Sequence, residues 1–341
     1  MKPKTLLKFL KGGSFLTLRR SVRLLPSYYR VLWVAAAARH GLLRTLAEGP
    51  KPLDALAIEM APDPNHRDAL EAWLGLGVRL RQIECDAGGY RLSGFLARKL
   101  SREEMDPLAA LLEEAADLHH KLILDTPARL QQGRRWSMGD HDAALIARSS
   151  RVAEPFGFEA LDEVIDRNSP QRLLEVGAGS GIYIRYAAER NPALTALGLE
   201  QQTDVATMAN ENLEKWGLRD RAHVELRDVR QHESSSEFEI VTLQNNIYYF
   251  PVDERVDLFR HLRSFLKPGG KLLVTTACRG GTALTHVLDI WSSGTEGCGR
   301  LPTASELEAQ LIQAGFSRVK VRNPIPGESY CAFVAIRGLE H

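Results

Sequence analysis

The sequence predicts a two-part α/β protein: a mostly helical N-terminal domain of winged-helix type, then a Rossmann-like domain built on a parallel sheet. Three observations lead there. After residue 166, apolar segments of strand length alternate with helical stretches, which is the pattern of a doubly wound sheet. The first of these segments runs into a glycine-rich turn, Glu175-Val-Gly-Ala-Gly-Ser-Gly181. Before residue 105, helical stretches surround a single glycine-turned hairpin. A length of 341 residues suits two domains, and 44% hydrophobic residues suffice for a sizeable core.

The N-terminal elements read in order. The first 47 residues hold Lys2, Lys4, Lys8, Lys11, Arg19, Arg20, Arg23, Arg30, Arg39 and Arg44, and the first acid is Glu48. Basic residues interleaved with Leu, Phe and Tyr suit an anionic membrane surface. The plainer expectation is an arm packed on a partner subunit or on acidic surface. Val31–Ala47 predicts a helix that stops at Gly49-Pro50, and Pro52–Met60 predicts a second. Pro62-Asp-Pro-Asn starts a third, whose apolar face is Leu70, Trp73, Leu74, Gly77 and Val78. Ile83–Cys85 and Tyr90–Leu92 flank Asp86-Ala-Gly-Gly89 as a hairpin, and Ser93 caps the next helix. Winged helices often bind DNA, but this one has no run of basic residues for a phosphate footprint. Net charge is +1, so no nucleic-acid partner is expected.

The second half is more specific. Helix N-termini carry free N–H groups and partial positive charge, and glycines allow close approach of a ligand. Position 182 is Ile, so the spacing departs from the G-x-G-x-x-G dinucleotide fingerprint. Glu175, at the strand's end, would repel a pyrophosphate. It suits a cationic ammonium, such as the methionyl end of S-adenosylmethionine. Leu194–Leu199 is a second strand ending at Glu200, an acid able to accept both ribose hydroxyls. Ala222–Asp228 is a third, with Asp228 placed for the adenine amino group; Gln201 and Val229 adjoin these two acids. Phe238–Leu243 is a fourth, followed by Gln244 and Asn245, and Lys267-Pro-Gly-Gly turns into a fifth.

From about 166 to 341 the chain resembles a class I S-adenosylmethionine-dependent methyltransferase. Glu175, Gly177, Gly179 and Gly181 match that family's first motif, Glu200 its ribose acid, Asp228 its adenine contact and Lys267-Pro-Gly-Gly its turn before the fifth strand. The resemblance implies a seven-stranded sheet whose last strands, Ser317–Arg322 and Ser329–Ile336, form an antiparallel edge. With the winged helix in front, the whole chain resembles the dimeric small-molecule O-methyltransferases of plants and of bacterial pigment and antibiotic pathways. Looser matches are Ala37–Ala47, Tyr90-Arg-Leu-Ser, Leu130-Gln-Gln-Gly and Thr303-Ala-Ser-Glu-Leu with Ala314-Gly-Phe316. This implies residues 1–105 as a winged-helix dimerisation domain, 106–165 as linking helices over the pocket, and 166–341 as the cofactor domain. It also implies a homodimer acting on a small molecule in the cytoplasm. The four cysteines lack metal spacing and suit reduced thiols.

The chemistry departs from that family. Many members carry His-Asp after the fourth strand, and the histidine deprotonates the acceptor. Here the segment is Gln244-Asn-Asn-Ile-Tyr-Tyr-Phe-Pro251, with Tyr249 nearest that position and Tyr248 beside it. A tyrosine with a pKa near 10 is a poor base at pH 7. His286 and Asp289 share a helix face by spacing and form a candidate base pair. Tyr248, Tyr249, Phe250 and Trp291 suggest an aromatic enclosure for a sulfonium. Such an enclosure also suits an enzyme that cyclises the cofactor to azetidine-2-carboxylate and methylthioadenosine, with Asn245 or Asn246 holding the amino group. A third reading is a cofactor-binding regulatory module. Phe156, on the helix before the first strand, is expected at the pocket. Asp140-His-Asp142 lacks a third ligand and reads as a solvated helix start, so no metal is predicted.

Overall fold

The computed structural model describes residues 14–339 apart from Ser234 and Pro326. They divide into two compact units. The first runs to Lys121 and includes Asp142–Val152; the second comprises Leu122–His141 and the chain from Ala153 onward. The stretch 106–165 is therefore shared between the two units. Lys2, Lys4, Lys8 and Lys11 lie outside the described residues.

The first unit opens with α1 (Ser14–Arg39), which starts well before the expected Val31. The helix expected through Ala47 is broken instead at Gly41, whose φ of 81° ends one helix and starts α2 (Leu42–Ala47). Next come α3 (Leu53–Met60) and α4 (Arg67–Arg79). A Cβ at Gly77 would lie 2.2 Å from the Trp33 ring, so α4 meets α1 at a position only glycine can fill. Trp33, Leu43, Leu56, Leu74 and Ile83 form the core of this unit. The hairpin is present as β1 (Ile83–Asp86) paired antiparallel with β2 (Gly89–Leu92). After α5 (Phe95–Leu100) and α6 (Asp106–Glu114), the helical path passes through a π-helical turn at Ala115–His119. The helix resumes as α7 (His120–Gln131). From α8 (Ala143–Ser150), Arg148 reaches Asp106 at 2.6 Å and Glu113 at 3.2 Å.

The second unit is a seven-stranded sheet in the order β5-β4-β3-β6-β7-β9-β8. Five strands are parallel: β3 (Arg172–Val176), β4 (Thr195–Glu200), β5 (Ala222–Leu226), β6 (Phe238–Gln244) and β7 (Leu266–Ala277). The expected antiparallel edge is β8 (Arg318–Arg322) with β9 (Tyr330–Ile336), the latter inserted beside β7. β3 and β6 are almost continuously buried because helices cover both faces of the sheet. On one face, α9 (Glu154–Asp162), α10 (Ile182–Arg190) and α11 (Thr203–Lys215) contribute Leu161, Ile184, Ala209 and Leu213. On the other, α12 (Arg255–Phe265) and α14 (Ala304–Gln313) contribute Phe259, Phe265, Leu307 and Leu311. The strand order reverses at β3, with β4 and β5 to one side and β6 and β7 to the other. Ligands of open α/β sheets bind outside the carboxyl ends of the strands at such a switch point.

Candidate functional site

The glycine turn sits at that switch point. Gly177, Gly179 and Gly181 have φ of 69°, 53° and 80°, values an L side chain adopts only at a cost. The backbone N–H groups of Gly177 and Ala178 donate to the Leu199 carbonyl at 2.8 and 3.0 Å, binding the turn to β4. A Cβ at Gly177 would strike Asn246 Nδ2 at 2.4 Å, whereas one at Gly179 would meet nothing within 4 Å. The turn is thus closed toward β6 and open above its middle glycine. Glu200, at the end of β4, accepts from Gly179 N at 3.2 Å and from the backbone N–H of Gln201 and Gln202 at 2.9 and 3.1 Å. Asp228, two residues past β5, caps a 3-10 turn from Val229, accepting from Arg230 N at 2.9 Å. Burial raises its pKa, but the forked contact from the Arg230 guanidinium holds it below the ordinary carboxylate range. The turn, Glu200 and Asp228 thus occupy the carboxyl ends of three adjacent parallel strands, in that order.

A polar cluster lies beneath the turn. Glu175 is 1% exposed; one carboxylate oxygen accepts from the Thr242 hydroxyl, and Oε1 has no hydrogen-bond partner. Desolvation pushes its pKa up to about 8, and the Thr242 hydroxyl and the nearby Gln244 amide pull in the opposite direction. Gln244 accepts from the Thr275 hydroxyl at 3.3 Å, and its Nε2 is buried without a partner. Asn245 takes φ 54°, donating its N–H to the Thr275 carbonyl at 2.8 Å and its side-chain amide to Tyr183 at 3.4 Å. Asn246 donates to the Val176 carbonyl, and its Oδ1 is unpartnered. Phe156 packs on Tyr330 with ring centroids 6.4 Å apart, and a Cβ at the adjoining Gly157 would strike the Tyr183 ring and hydroxyl. Three buried unpartnered polar atoms beside an open glycine turn fit a ligand with a polar, charged end.

Beyond β6 the chain makes a 3-10 turn, Ile247–Tyr249. Tyr248 and Tyr249 meet Trp291 of α13 (Ala283–Gly294) edge-on, at 5.8 and 5.6 Å between centroids. Trp291 is 5% exposed with its indole Nε1 unpartnered. Phe250, expected in this enclosure, instead belongs to the core beneath it, because the turn swings its ring among Leu258, Phe259 and their neighbours. His141 completes the enclosure. Its ring lies 5.9 Å from Trp291 and 5.8 Å from Trp136, and both its ring nitrogens are buried without a partner. Desolvation lowers its pKa, against the pull of Asp140, and so favours the neutral imidazole.

His141 escapes a reading of the sequence because its neighbours disguise it. Asp142 caps α8 and Asp140 closes a capping box with Ser137, so the local pattern is that of a solvated helix start. The caps are real, yet the histidine between them is withdrawn from water. The pairing expected of His286 with Asp289 is not formed. Asp289 accepts from Leu301 N at 2.9 Å, and His286 is exposed. Arg255 is a second residue without a sequence signal. It is 1% exposed and donates to the carbonyls of Phe250 at 3.1 Å and Arg300 at 2.8 Å. Burial pushes its pKa down to about 10. It ties the aromatic turn to the Cys298–Leu301 loop, which Gly299 N reinforces by donating to the Tyr248 carbonyl at 2.9 Å.

An open parallel sheet with a glycine turn at the switch point and an acid at the next strand's end is the arrangement of nucleoside-binding α/β proteins. A family described as "Methyltransferase domain" matches residues 148–321, just over half of the chain, and the protein belongs to it. Demethylspheroidene O-methyltransferase of Rhodobacter capsulatus is 25% identical over 190 residues, 53% of this chain and 46% of that one. Phosphoethanolamine N-methyltransferase 3 of Arabidopsis thaliana is 29% identical over 34% of this chain and 23% of its own length. The matched region is thus less than half of either relative. Among solved structures, mitomycin 7-O-methyltransferase MmcR aligns over 96% of this chain and 100% of its own, with TM-score 0.78 and 18% identity. Human N-acetylserotonin methyltransferase, solved with S-adenosylmethionine, aligns over 93% and 98%, with TM-score 0.73 and 16% identity. At these identities the structural likeness establishes the fold.

Proposed function

We propose that this protein transfers a methyl group from S-adenosylmethionine to a hydroxyl of a small organic molecule. The observation that carries this reading is the pairing, at one switch point, of a nucleoside cradle with an aromatic enclosure holding a neutral, unpartnered histidine. In the cradle, Gly177–Gly181 and Glu175 hold the methionyl end, Glu200 with Gln201 the ribose, and Asp228 with Val229 the adenine. The bound cofactor supplies an electrophilic methyl group on a sulfonium. Tyr248, Tyr249 and Trp291 supply aromatic faces that stabilise positive charge and exclude water. His141 accepts the acceptor's hydroxyl proton as its oxygen attacks, and the unpartnered Trp291 N–H orients that oxygen. Alignment of the two reactants accounts for most of the remaining rate. The relatives' names support a small-molecule acceptor of the kind found in secondary metabolism, and the helical first unit supports a winged-helix dimer. Phe156, Asn245 and Asn246 border the methionyl end.

Incubating the protein with S-adenosylmethionine, alone and with a mixture of hydroxylated aromatic compounds, tests this reading by mass spectrometry. S-adenosylhomocysteine formed only with an acceptor is expected. Methylthioadenosine formed without one overturns methyl transfer in favour of cyclisation of the cofactor. No turnover under either condition leaves a cofactor-binding module and overturns it equally.

A further inference from the structure

The N-terminal half of α1 has no role in the chemistry proposed above and an unusual surface. Every residue from Phe15 to Tyr29 is exposed, whereas the same helix buries Trp33, Val34, Ala35 and Ala37 further on. The helix is thus anchored at one end and mostly exposed at the other, where the Tyr28 hydroxyl meets His120 Nδ1 at 3.1 Å. At about 100° per residue, Phe15, Leu18, Val22, Leu25 and Tyr29 fall on one side. Arg19, Arg20 and Arg23 share the adjoining sector. Leu18 and Val22 are 49% and 50% exposed. Among the described residues no carboxylate pairs with these three arginines, and no acid occurs before Glu48 in the sequence. Four further lysines precede the helix in the sequence.

We propose that this segment of α1 docks on an anionic lipid surface, lying in the interface with its apolar stripe in the acyl boundary and its arginines among the headgroups. The charge pattern selects this occupant. A second copy laid antiparallel on the stripe about a two-fold axis would bring like-charged arginines together without a compensating acid. A nucleic acid would satisfy the arginines and leave the apolar stripe in water. A basic flank beside an apolar stripe is the arrangement that anionic lipid satisfies on both counts. No described helix is long and apolar enough to cross a membrane, so the contact is peripheral.

The test is sedimentation of the full chain with vesicles of phosphatidylcholine alone and of phosphatidylcholine with about one-third phosphatidylserine. Each arginine near an anionic surface contributes roughly fivefold in partitioning, so Arg19→Gln, Arg20→Gln and Arg23→Gln together weaken binding on the order of 100-fold. Binding is expected only to the anionic vesicles, and salt at about 0.5 M reverses it. Leu18→Asp with Val22→Asp abolishes it. Far-UV circular dichroism matching that of the unaltered chain verifies that both sets of variants fold. Absence of binding, equal binding to both vesicle types, or binding indifferent to either set of substitutions overturns the proposal. So does light scattering in which the aspartate pair dissociates a dimer while the unaltered chain ignores vesicles, since a second copy then covers the stripe.

Discussion

Glu175 gives the sharpest prediction, because it ties stability and ligand binding to one proton. Its folded pKa of about 8 against an ordinary value of 4.5 means that the folded chain holds the proton more tightly than the unfolded one. The stabilisation is fully present below pH 4.5 and is lost as pH rises through 8. Within that window folding takes up a proton, and stability falls by at most about 1.4 kcal/mol per pH unit, to a ceiling of roughly 5 kcal/mol. Glu175→Gln keeps the shape, retains a partner for Thr242 and removes the charge. Its chemical denaturation midpoint changes less between pH 6 and 9 than that of the unaltered chain. Cofactor binding moves the opposite way. In the proposed binding mode the carboxylate holds a cationic ammonium, so calorimetric affinity rises by up to about tenfold per pH unit from pH 6 toward 8, above which the ligand's own amino group, with a pKa near 8, loses its charge and the gain ends. The substituted protein binds more weakly and without that slope. Identical pH dependence of stability in the two proteins refutes the burial argument. Affinity that falls from about pH 6 to 8 in the unaltered chain refutes the placement of the ammonium.

Other predictions follow from the same geometry. Glu200→Ala removes both the proposed ribose acceptor and the anchor of Gly179 N, and lowers S-adenosylmethionine affinity by about 100-fold in calorimetry, on about 1.5–3 kcal/mol for a charge-assisted bond. Gly177→Ala drives a Cβ into Asn246 and costs about 2–3 kcal/mol, seen as a melting-temperature drop of roughly 5–10 °C. His141→Phe keeps the aromatic packing and cofactor affinity, yet lowers the methyl-transfer rate by about 10²–10⁴; an unchanged rate removes His141 from the mechanism. His286→Ala leaves the rate within twofold of the unaltered enzyme.

The parts legible in the sequence are those that local pattern determines. The glycine turn, the acid ending β4, the acid just after β5 and the hairpin all follow from runs of fewer than ten residues, whereas the antiparallel edge came from the family resemblance. What escaped depends on contacts between distant segments. Trp291 lies 150 positions from His141, and nothing local announces that the two rings meet. The i, i+3 spacing of His286 and Asp289 is genuine, but Leu301 N–H captures the carboxylate from another loop. Phe250 reads as part of an aromatic run, and only the 3-10 turn decides that it faces the core. Arg255 reads as a surface cation until two backbone carbonyls are found at its head. In the first unit, propensity favoured an unbroken helix through His40-Gly41, and one left-handed glycine overrode it.

The reversal of strand order at β3 has a consequence for how such a protein diversifies. In the proposed function, recognition of the donor falls to the ends of β3, β4 and β5, and the acceptor side is built from the end of β6, from α13 and from the Trp136–His141 turn. Because Arg255 braces the acceptor side through backbone carbonyls, it tolerates a change of side chain at the positions it holds. The carbonyl of Tyr248 is likewise held through the backbone, by Gly299 N, so the side chains of Tyr248 and Tyr249 can be exchanged without loosening the turn. On that reading, altering one flank of the sheet would change the acceptor and leave the nucleoside side in place, and a laboratory recombining related chains would cut at that same seam.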